Sequence, residues 1–232
     1  LNIVGVDMHI GSQILQMKPF KNSFKKIEKF CKELEKNKIK IKHIDVGGGL
    51  GINYSSKNIK DITNEYTNLV KDIALRTKKK IIIEPGRFIV ANAGILVTKI
   101  LYKKSNEEKK FIIVDAGMND FIRPALYDAK HLVKQIQLNK DKYKEEYFDI
   151  VGPICETADV ITENAKLNKS IERGDYLFVE KAGAYGSTMS STYNSRGLIP
   201  EVLVSKNMFF EIRKKMTEDD FLKLEKVPSW IK

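Results

Sequence analysis

The sequence predicts an α/β fold in two parts: parallel β-α units as far as about residue 94, then a mostly antiparallel β region with a short terminal helix. Two patterns carry this reading. Up to residue 94, short apolar runs rich in β-branched side chains alternate with longer segments of helical period, the signature of β-α units. From about residue 95, short strands follow one another across turn signals such as Ser105-Asn106, Gly152-Pro153 and Arg173-Gly174-Asp175. With 232 residues and 42% hydrophobic content, the chain can bury a sizeable core in one large domain or two small ones.

Residues 3–10 are expected to form a buried strand that ends in the turn Gly11-Ser12-Gln13. Residues 19–36 carry Phe20, Phe24, Ile27, Phe30, Cys31 and Leu34 at helical spacing, with Pro19 suited to a helix start. A second strand over residues 41–46 closes on Gly47-Gly48-Gly49-Leu50-Gly51. A second helix over residues 59–76 gathers Ile62, Tyr66, Leu69, Val70 and Ile73 on one side. The third strand, Ile81-Ile82-Ile83, reads as buried on both faces and is stopped by Pro85-Gly86, leaving Glu84 at its carboxyl end. Three strands cannot close a sheet. They belong either to a (β/α)8 barrel whose earlier strands are not in this sequence or to an open parallel sheet, and both bind ligands at strand carboxyl ends. Further strands are expected at residues 95–102, 110–115, 148–151, 159–161, 176–180, 201–204 and 209–212. A last helix starts at Thr217, with Glu218, Asp219 and Asp220 at its positive end.

Composition excludes several classes of function. No run approaches the roughly eighteen apolar residues of a membrane span, and no charged-then-apolar leader is present, so a cytoplasmic protein with no membrane partner is expected. The net charge of +11 is spread over helix faces and loops such as Lys78-Lys79-Lys80 and Lys103-Lys104, without interleaved aromatics, which argues against a nucleic-acid partner. Cys31 and Cys155 lie far apart in unlike contexts, which speaks against a disulfide framework. With three histidines and two cysteines, no zinc-ligand spacing occurs, and no metal is expected.

Several polar groups could carry chemistry. The run Gly47-Gly48-Gly49 between a strand and a helix can wrap an anion with backbone N–H groups, or can be a tight turn that needs positive φ. It lacks the endings of a nucleotide-binding loop. His9 ends a strand. Cys155 and Glu156 follow Gly152-Pro153, with Asp159 three residues on, so the thiol is expected beside two acids and suited to donating a proton rather than attacking. Gly183-Ala184-Tyr185-Gly186 reads as a loop near a ligand, and Arg123 in Arg123-Pro124-Ala125-Leu126-Tyr127 can hold a carboxylate bidentately.

Taken in order, these segments resemble the pyridoxal-phosphate decarboxylases of the alanine-racemase-like fold, the group acting on ornithine, arginine and diaminopimelate. The resemblance runs from His9-Ile10-Gly11-Ser12-Gln13 through the three glycines, Glu84-Pro85-Gly86-Arg87, the Arg123–Tyr127 stretch and Gly152-Pro153-Ile154-Cys155-Glu156 to Gly183-Ala184-Tyr185-Gly186 and Tyr193-Asn194. It implies that residues 1–94 are the carboxy-terminal half of a (β/α)8 barrel holding pyridoxal 5′-phosphate, and that residues 95–232 are a β-rich carboxy-terminal domain. It also implies that His9 packs on the pyridine ring and Glu84 pairs with the ring nitrogen. Ser12, Gly48, Gly49, Pro85, Gly86 and Arg87 would surround the phosphate, with Tyr193 reaching it as well. Arg87, Arg123, Tyr127, Glu156 and Tyr193 would hold the distal end of an amino-acid substrate, and Cys155 would supply a proton after carbon dioxide leaves. In the family, Cys155 and Glu156 enter from the neighbouring subunit, so a homodimer with shared active sites is implied.

A substrate with a second carboxylate and ammonium needs a cationic and an anionic partner, which Arg123 and Glu156 would provide. The expected reaction is decarboxylation of meso-2,6-diaminopimelate to L-lysine and carbon dioxide, the last step of lysine biosynthesis. The rivals are the same chemistry on ornithine, arginine or carboxynorspermidine, and a non-catalytic cofactor-binding regulator. The family's Schiff-base lysine lies upstream of anything in this sequence. The chain is therefore expected to be a carboxy-terminal fragment rather than a truncated product, and to be insoluble or inactive alone.

Overall fold

The computed structural model describes residues 1–55, 60–136 and 144–231. The chain divides into two compact units, Leu1–Gly94 and Ile95–Lys232. In the first, β1 (Gly5–Asp7), α1 (Met17–Lys36), β2 (His43–Asp45), α2 (Thr63–Thr77), β3 (Lys80–Ile82) and α3 (Gly86–Val90) follow one another. The strands form a parallel sheet in the order β1-β2-β3, pairing Val6 with Ile44 and Ile44 with Ile81. Side chains alternate across a strand, so these three share one face, and α1 and α2 pack against it.

Helix α1 buries Met17, Phe20, Phe24, Ile27 and Cys31, a stripe repeating every three or four residues. Each fully buried Phe or Ile contributes about 1.5–3 kcal/mol. Pro19 falls in the first turn, where its missing N–H costs nothing, so the helix starts before it rather than at it. Phe30, expected on the stripe, is exposed. Asn37 ends the helix, its side-chain amide donating to the Glu33 carbonyl at 2.8 Å. In α2 the buried residues are Tyr66 and Ile73, and the Tyr66 ring meets Phe20 edge to face at 4.9 Å. The expected helix start at Ile59 lies outside the described residues.

Two strand expectations need correction. Only Gly5–Asp7 of residues 3–10 pairs as a strand. Val4, Gly5 and Val6 are only half-buried, because β1 has a neighbour on one side alone among the described residues. The isoleucine run is not buried on both faces either: Ile81 and Ile82 are half-buried and Ile83 is 44% exposed. The face of the sheet opposite α1 and α2 carries Gly5, Asp7, His43, Asp45, Lys80 and Ile82, a mostly polar set.

In the second unit, β4 (Leu96–Ser105), β5 (Lys110–Val114), α4 (Arg123–Tyr127), β6 (Val133–Gln135), β7 (Glu145–Val151), β8 (Val160–Asn168) and β9 (Tyr176–Val179) precede a hairpin of β10 (Glu201–Ser205) and β11 (Met208–Arg213), then α5 (Glu218–Leu222). Six strands form one sheet in the order β6-β9-β4-β5-β7-β8, antiparallel except for the β5–β7 pair. Its end strands β6 and β8 pack together, so the sheet is nearly closed. The core within it includes Ile100, Ile112, Val114, Phe148, Ile150, Ile171, Leu177 and Val179. Strand β8 runs well beyond the expected residues 159–161, because the polar run Thr162-Glu163-Asn164 breaks the apolar pattern without ending the strand. Elements of three to five residues, α3, α4 and β6, are too short to leave a period in the sequence. The helix at Thr217 does form, with the Thr217 N–H donating to the Asp220 carboxylate at 2.9 Å. Among the described residues no helix is long and apolar enough to cross a membrane.

Candidate active site

Parallel strands in register deliver their carboxyl ends side by side. Asp7 ends β1, Asp45 ends β2, and Glu84 stands two residues past β3; carboxylate oxygens of the three lie within 4.8 Å of one another. Sequence reasoning singled out Glu84 and missed the other two. Their signal was an acid following a β-branched residue at each strand end: Val6-Asp7, Ile44-Asp45, Ile83-Glu84.

The glycine run threads between the loops that follow β1 and β3. A Cβ on Gly47, Gly48 or Gly49 would stand 2.3 Å from the carbonyl oxygen of Met8, Glu84 or Gly11 respectively. Gly47 (φ 67°) and Gly49 (φ 94°) also occupy the left-handed region. Both steric space and backbone conformation therefore demand glycine here. The Gly47 N–H is held by the Asp45 carboxylate at 2.9 Å, the Glu84 N–H by the Gly47 carbonyl at 2.9 Å and the Met8 N–H by the Asp45 carbonyl at 3.2 Å, which ties the three strand ends together. By contrast, a Cβ on Gly11 or Gly86 would meet nothing within 4 Å, so open space adjoins both. His9 is exposed, its Cα lying 3.3 Å from where a Gly47 Cβ would be.

Arg87 follows Gly86 and donates to the Tyr54 hydroxyl at 3.2 Å and the Ser12 hydroxyl at 3.3 Å. A guanidinium, a hydroxyl and glycine backbone around open space form an anion cradle. Gln13 braces it, its amide donating to the Ile52 carbonyl at 2.6 Å and accepting the Ile52 N–H at 3.1 Å. The unit thus brings together His9, Ser12, Gly48, Gly49, Glu84, Pro85, Gly86 and Arg87 on the three loops beyond its strands.

The second unit holds the other expected residues on three segments. Arg123 opens α4 and is 5% exposed, and Tyr127 closes that helix with its ring exposed. The Arg123 Nε–H donates to His131 Nε2 at 3.1 Å, and its guanidinium carbon lies 5.9 Å from the Tyr185 ring centroid. Tyr193 is exposed on a loop in which Asn194 and Ser195 both take positive φ. That loop is pinned by Arg196, which donates to the Asn119 side chain at 3.2 Å and the Asp115 carbonyl at 2.7 Å, and by the Ser191 N–H on the Asn119 carbonyl at 2.8 Å.

Cys155 and Glu156 are exposed on the loop between β7 and β8. The expected grouping of this thiol with two acids is corrected by Asp159, which is 3% exposed and turns inward. Its carboxylate accepts the Met118 N–H at 2.6 Å and the Ile154 N–H at 2.7 Å. A Cβ on Gly152 would stand 2.3 Å from the same carboxylate, which explains that glycine. Burial pushes the Asp159 carboxyl up, against the pull of these two N–H groups and of Arg196. Asp159 shapes the cysteine loop from beneath. Cys31, buried in α1, is a packing residue whose thiol is pushed up by burial.

A family profile described as "Pyridoxal-dependent decarboxylase, C-terminal sheet domain" matches residues 22–183, well over half of the chain. The chain is similar to the diaminopimelate decarboxylase of Aquifex aeolicus (strain VF5), at 44% identity over 219 residues, covering 94% of this chain and 51% of that protein. It is also similar to the crystal structure of diaminopimelate decarboxylase from M. jannaschii in co-complex with L-lysine, with TM-score 0.91 and 37% identity over 98% of this chain and 52% of that one. The Helicobacter pylori structure complexed with L-lysine gives TM-score 0.86 and 40% identity, over 95% and 54% of the two chains. The chain spans about half the length of the relatives it matches.

Proposed function

The chain belongs to the pyridoxal-dependent decarboxylase family, and from that premise we propose that the complete protein containing it decarboxylates meso-2,6-diaminopimelate to L-lysine and carbon dioxide. The observation that carries the proposal is the constellation beyond β1, β2 and β3. Arg87, Ser12 and the glycine backbone suit a phosphate, and the carboxylate group of Asp7, Asp45 and Glu84 suits a protonated ring nitrogen. Pyridoxal phosphate therefore fits the residues of the first unit: Ser12, Gly48, Gly49, Pro85, Gly86 and Arg87 would hold its phosphate, His9 would lie against its ring and Glu84 would pair with its nitrogen, and the proposal adds Tyr193 as a further residue for the phosphate. When bound, it supplies an electron sink for the pair left as the carboxylate departs.

The chain's own residues supply the rest. Glu84 holds a proton on the ring nitrogen. Arg87, Arg123, Tyr127 and Tyr193 bind the substrate's distal end, Arg123 at its carboxylate and Glu156 at its ammonium. Cys155 donates its thiol proton to the α-carbon. We further propose that residues 1–94 are the carboxy-terminal half of a (β/α)8 barrel, a reading supported by the polar face bearing Asp7, His43 and Asp45, which suits a lumen. Residues 95–232 are then the carboxy-terminal β domain. A cytoplasmic homodimer, with Cys155 and Glu156 supplied to the neighbouring subunit's site, completes the proposal; its support is the exposure of that loop.

The test is carbon dioxide release by the complete protein with added pyridoxal phosphate, across meso-diaminopimelate, ornithine, arginine and carboxynorspermidine. Release from diaminopimelate alone, with lysine as product, is expected. Release from another amine would overturn the substrate, and release from none would overturn the activity.

A further inference from the structure

We propose that His131 is a positioning residue for Arg123, fixing the angle at which that guanidinium meets the substrate's distal carboxylate. The inference rests on the substrate role given to Arg123 above. Its observations are the hydrogen-bond partners and the burial of His131.

Arg123 and His131 are 5% and 3% exposed, and a charge so far from water is tolerated only in good hydrogen-bonding company. His131 Nδ1 lies 2.9 Å from the Glu180 carbonyl oxygen. A carbonyl can only accept, so Nδ1 carries the ring proton and Nε2 presents a lone pair. Arginine has no acceptor, so the 3.1 Å contact between Arg123 Nε and His131 Nε2 runs from Arg123 to a neutral imidazole. One ring thus links two bonds whose directions leave no choice of tautomer.

The ring's own orientation is fixed as well. Phe121 meets it edge to face, with centroids 4.7 Å apart and planes at 82°. The side chain of Glu180, the residue that carries this carbonyl, is held by Lys134 at 2.5 Å. The chain of contact runs from Glu180, the residue after β9, through His131 to the Nε edge of the guanidinium, whose carbon lies 5.9 Å from the Tyr185 ring centroid. Bidentate binding of a carboxylate requires the guanidinium plane to be set within a narrow range of angles. His131 sets it from the side that the substrate does not use.

The test compares Arg123→Ala, His131→Leu, His131→Gln and the Arg123→Ala/His131→Leu double variant in the complete holoenzyme. Loss of a hydrogen bond to a charged group predicts a KM for diaminopimelate raised roughly tenfold or more in His131→Leu, with kcat moving much less. Glutamine, which can place an oxygen where Nε2 stands, recovers most of that loss. The double variant is no worse than Arg123→Ala alone, because both changes remove one interaction. A parental KM in Arg123→Ala sinks the substrate reading itself. A raised KM there with a parental KM in His131→Leu, or additive losses in the double variant, overturns the positioning role. Should His131→Leu not fold, His131→Asn replaces it: asparagine places its oxygen near Nδ1 instead, so equal KM values for the Gln and Asn variants overturn the proposal.

Discussion

At the scale of single residues, the groups that touch a ligand and the groups that hold them in place have different visibility. Asp159 is of the second kind. Its carboxylate satisfies two backbone N–H groups, of Ile154 and Met118, and so shapes the loop that presents Cys155. Asp159→Ala leaves both N–H groups without an acceptor, a cost on the order of 2–4 kcal/mol. The expected outcome is a lower thermal midpoint for the complete enzyme and a kcat reduced more than KM, with Asp159→Asn recovering part of both because its one oxygen can still accept. A parental midpoint in Asp159→Ala would remove the anchoring role. Cys155, Glu84 and Arg87 were legible because each stands within two residues of Gly or Pro in a recognisable motif. Asp159 was visible only as an acid near Cys155 and not as an anchor, and nothing pointed to His131 or Tyr54, because each has a partner remote in sequence: Met118 lies 41 positions from Asp159, Glu180 lies 49 from His131 and Arg87 lies 33 from Tyr54.

At the scale of elements, turns were easier to read than strand limits. Gly and Pro mark where a strand must stop, but pairing decides how far it runs. Strand β8 shows why: Asn164 takes φ 54° inside it, and the distortion is held by the Asp149 carboxylate, which accepts the Asn164 N–H at 2.9 Å and the Lys109 ammonium at 2.8 Å. Burial raises the Asp149 carboxyl, but Lys109 and the Asn164 N–H together outweigh it and leave the carboxyl below its usual value. A depressed folded value means that its stabilisation is present above the unfolded value, about 3.9, and is lost as pH falls through the folded one. Asp149→Asn should therefore lower the thermal midpoint at pH 7, with the difference from the parent shrinking below about pH 4. A constant difference across that range would show that packing, and not the ionised carboxylate, holds β7 to β8.

At the scale of the whole molecule, the two units differ in how completely they bury themselves. The six-stranded sheet of the second unit brings its ends together around Ile100, Ile112, Phe148, Ile150, Ile171 and Leu177, so few strand edges remain open. The first unit has three strands of three residues, each flank of the sheet lacking a further neighbour among the described residues. Its helices cover the face of Val6, Ile44 and Ile81, and a parallel sheet normally requires both faces covered and both edges paired. The alternation of strand and helix was legible in the apolar periodicity. Which face of each strand would be packed was not, because three-residue strands are too short to display an alternation. The burial difference leads to a direct expectation: residues 95–232 expressed alone should unfold in a single cooperative transition, while residues 1–94 alone should not, and should bind a dye specific for exposed apolar surface. The hairpin formed by β10 and β11 exposes Phe209 and Phe210, so the isolated second unit should also associate more readily as concentration rises, and Phe209→Ser with Phe210→Ser should reduce that association without lowering the melting midpoint. Cooperative unfolding of residues 1–94 alone would mean that the open edges and the polar face cost less than this account requires.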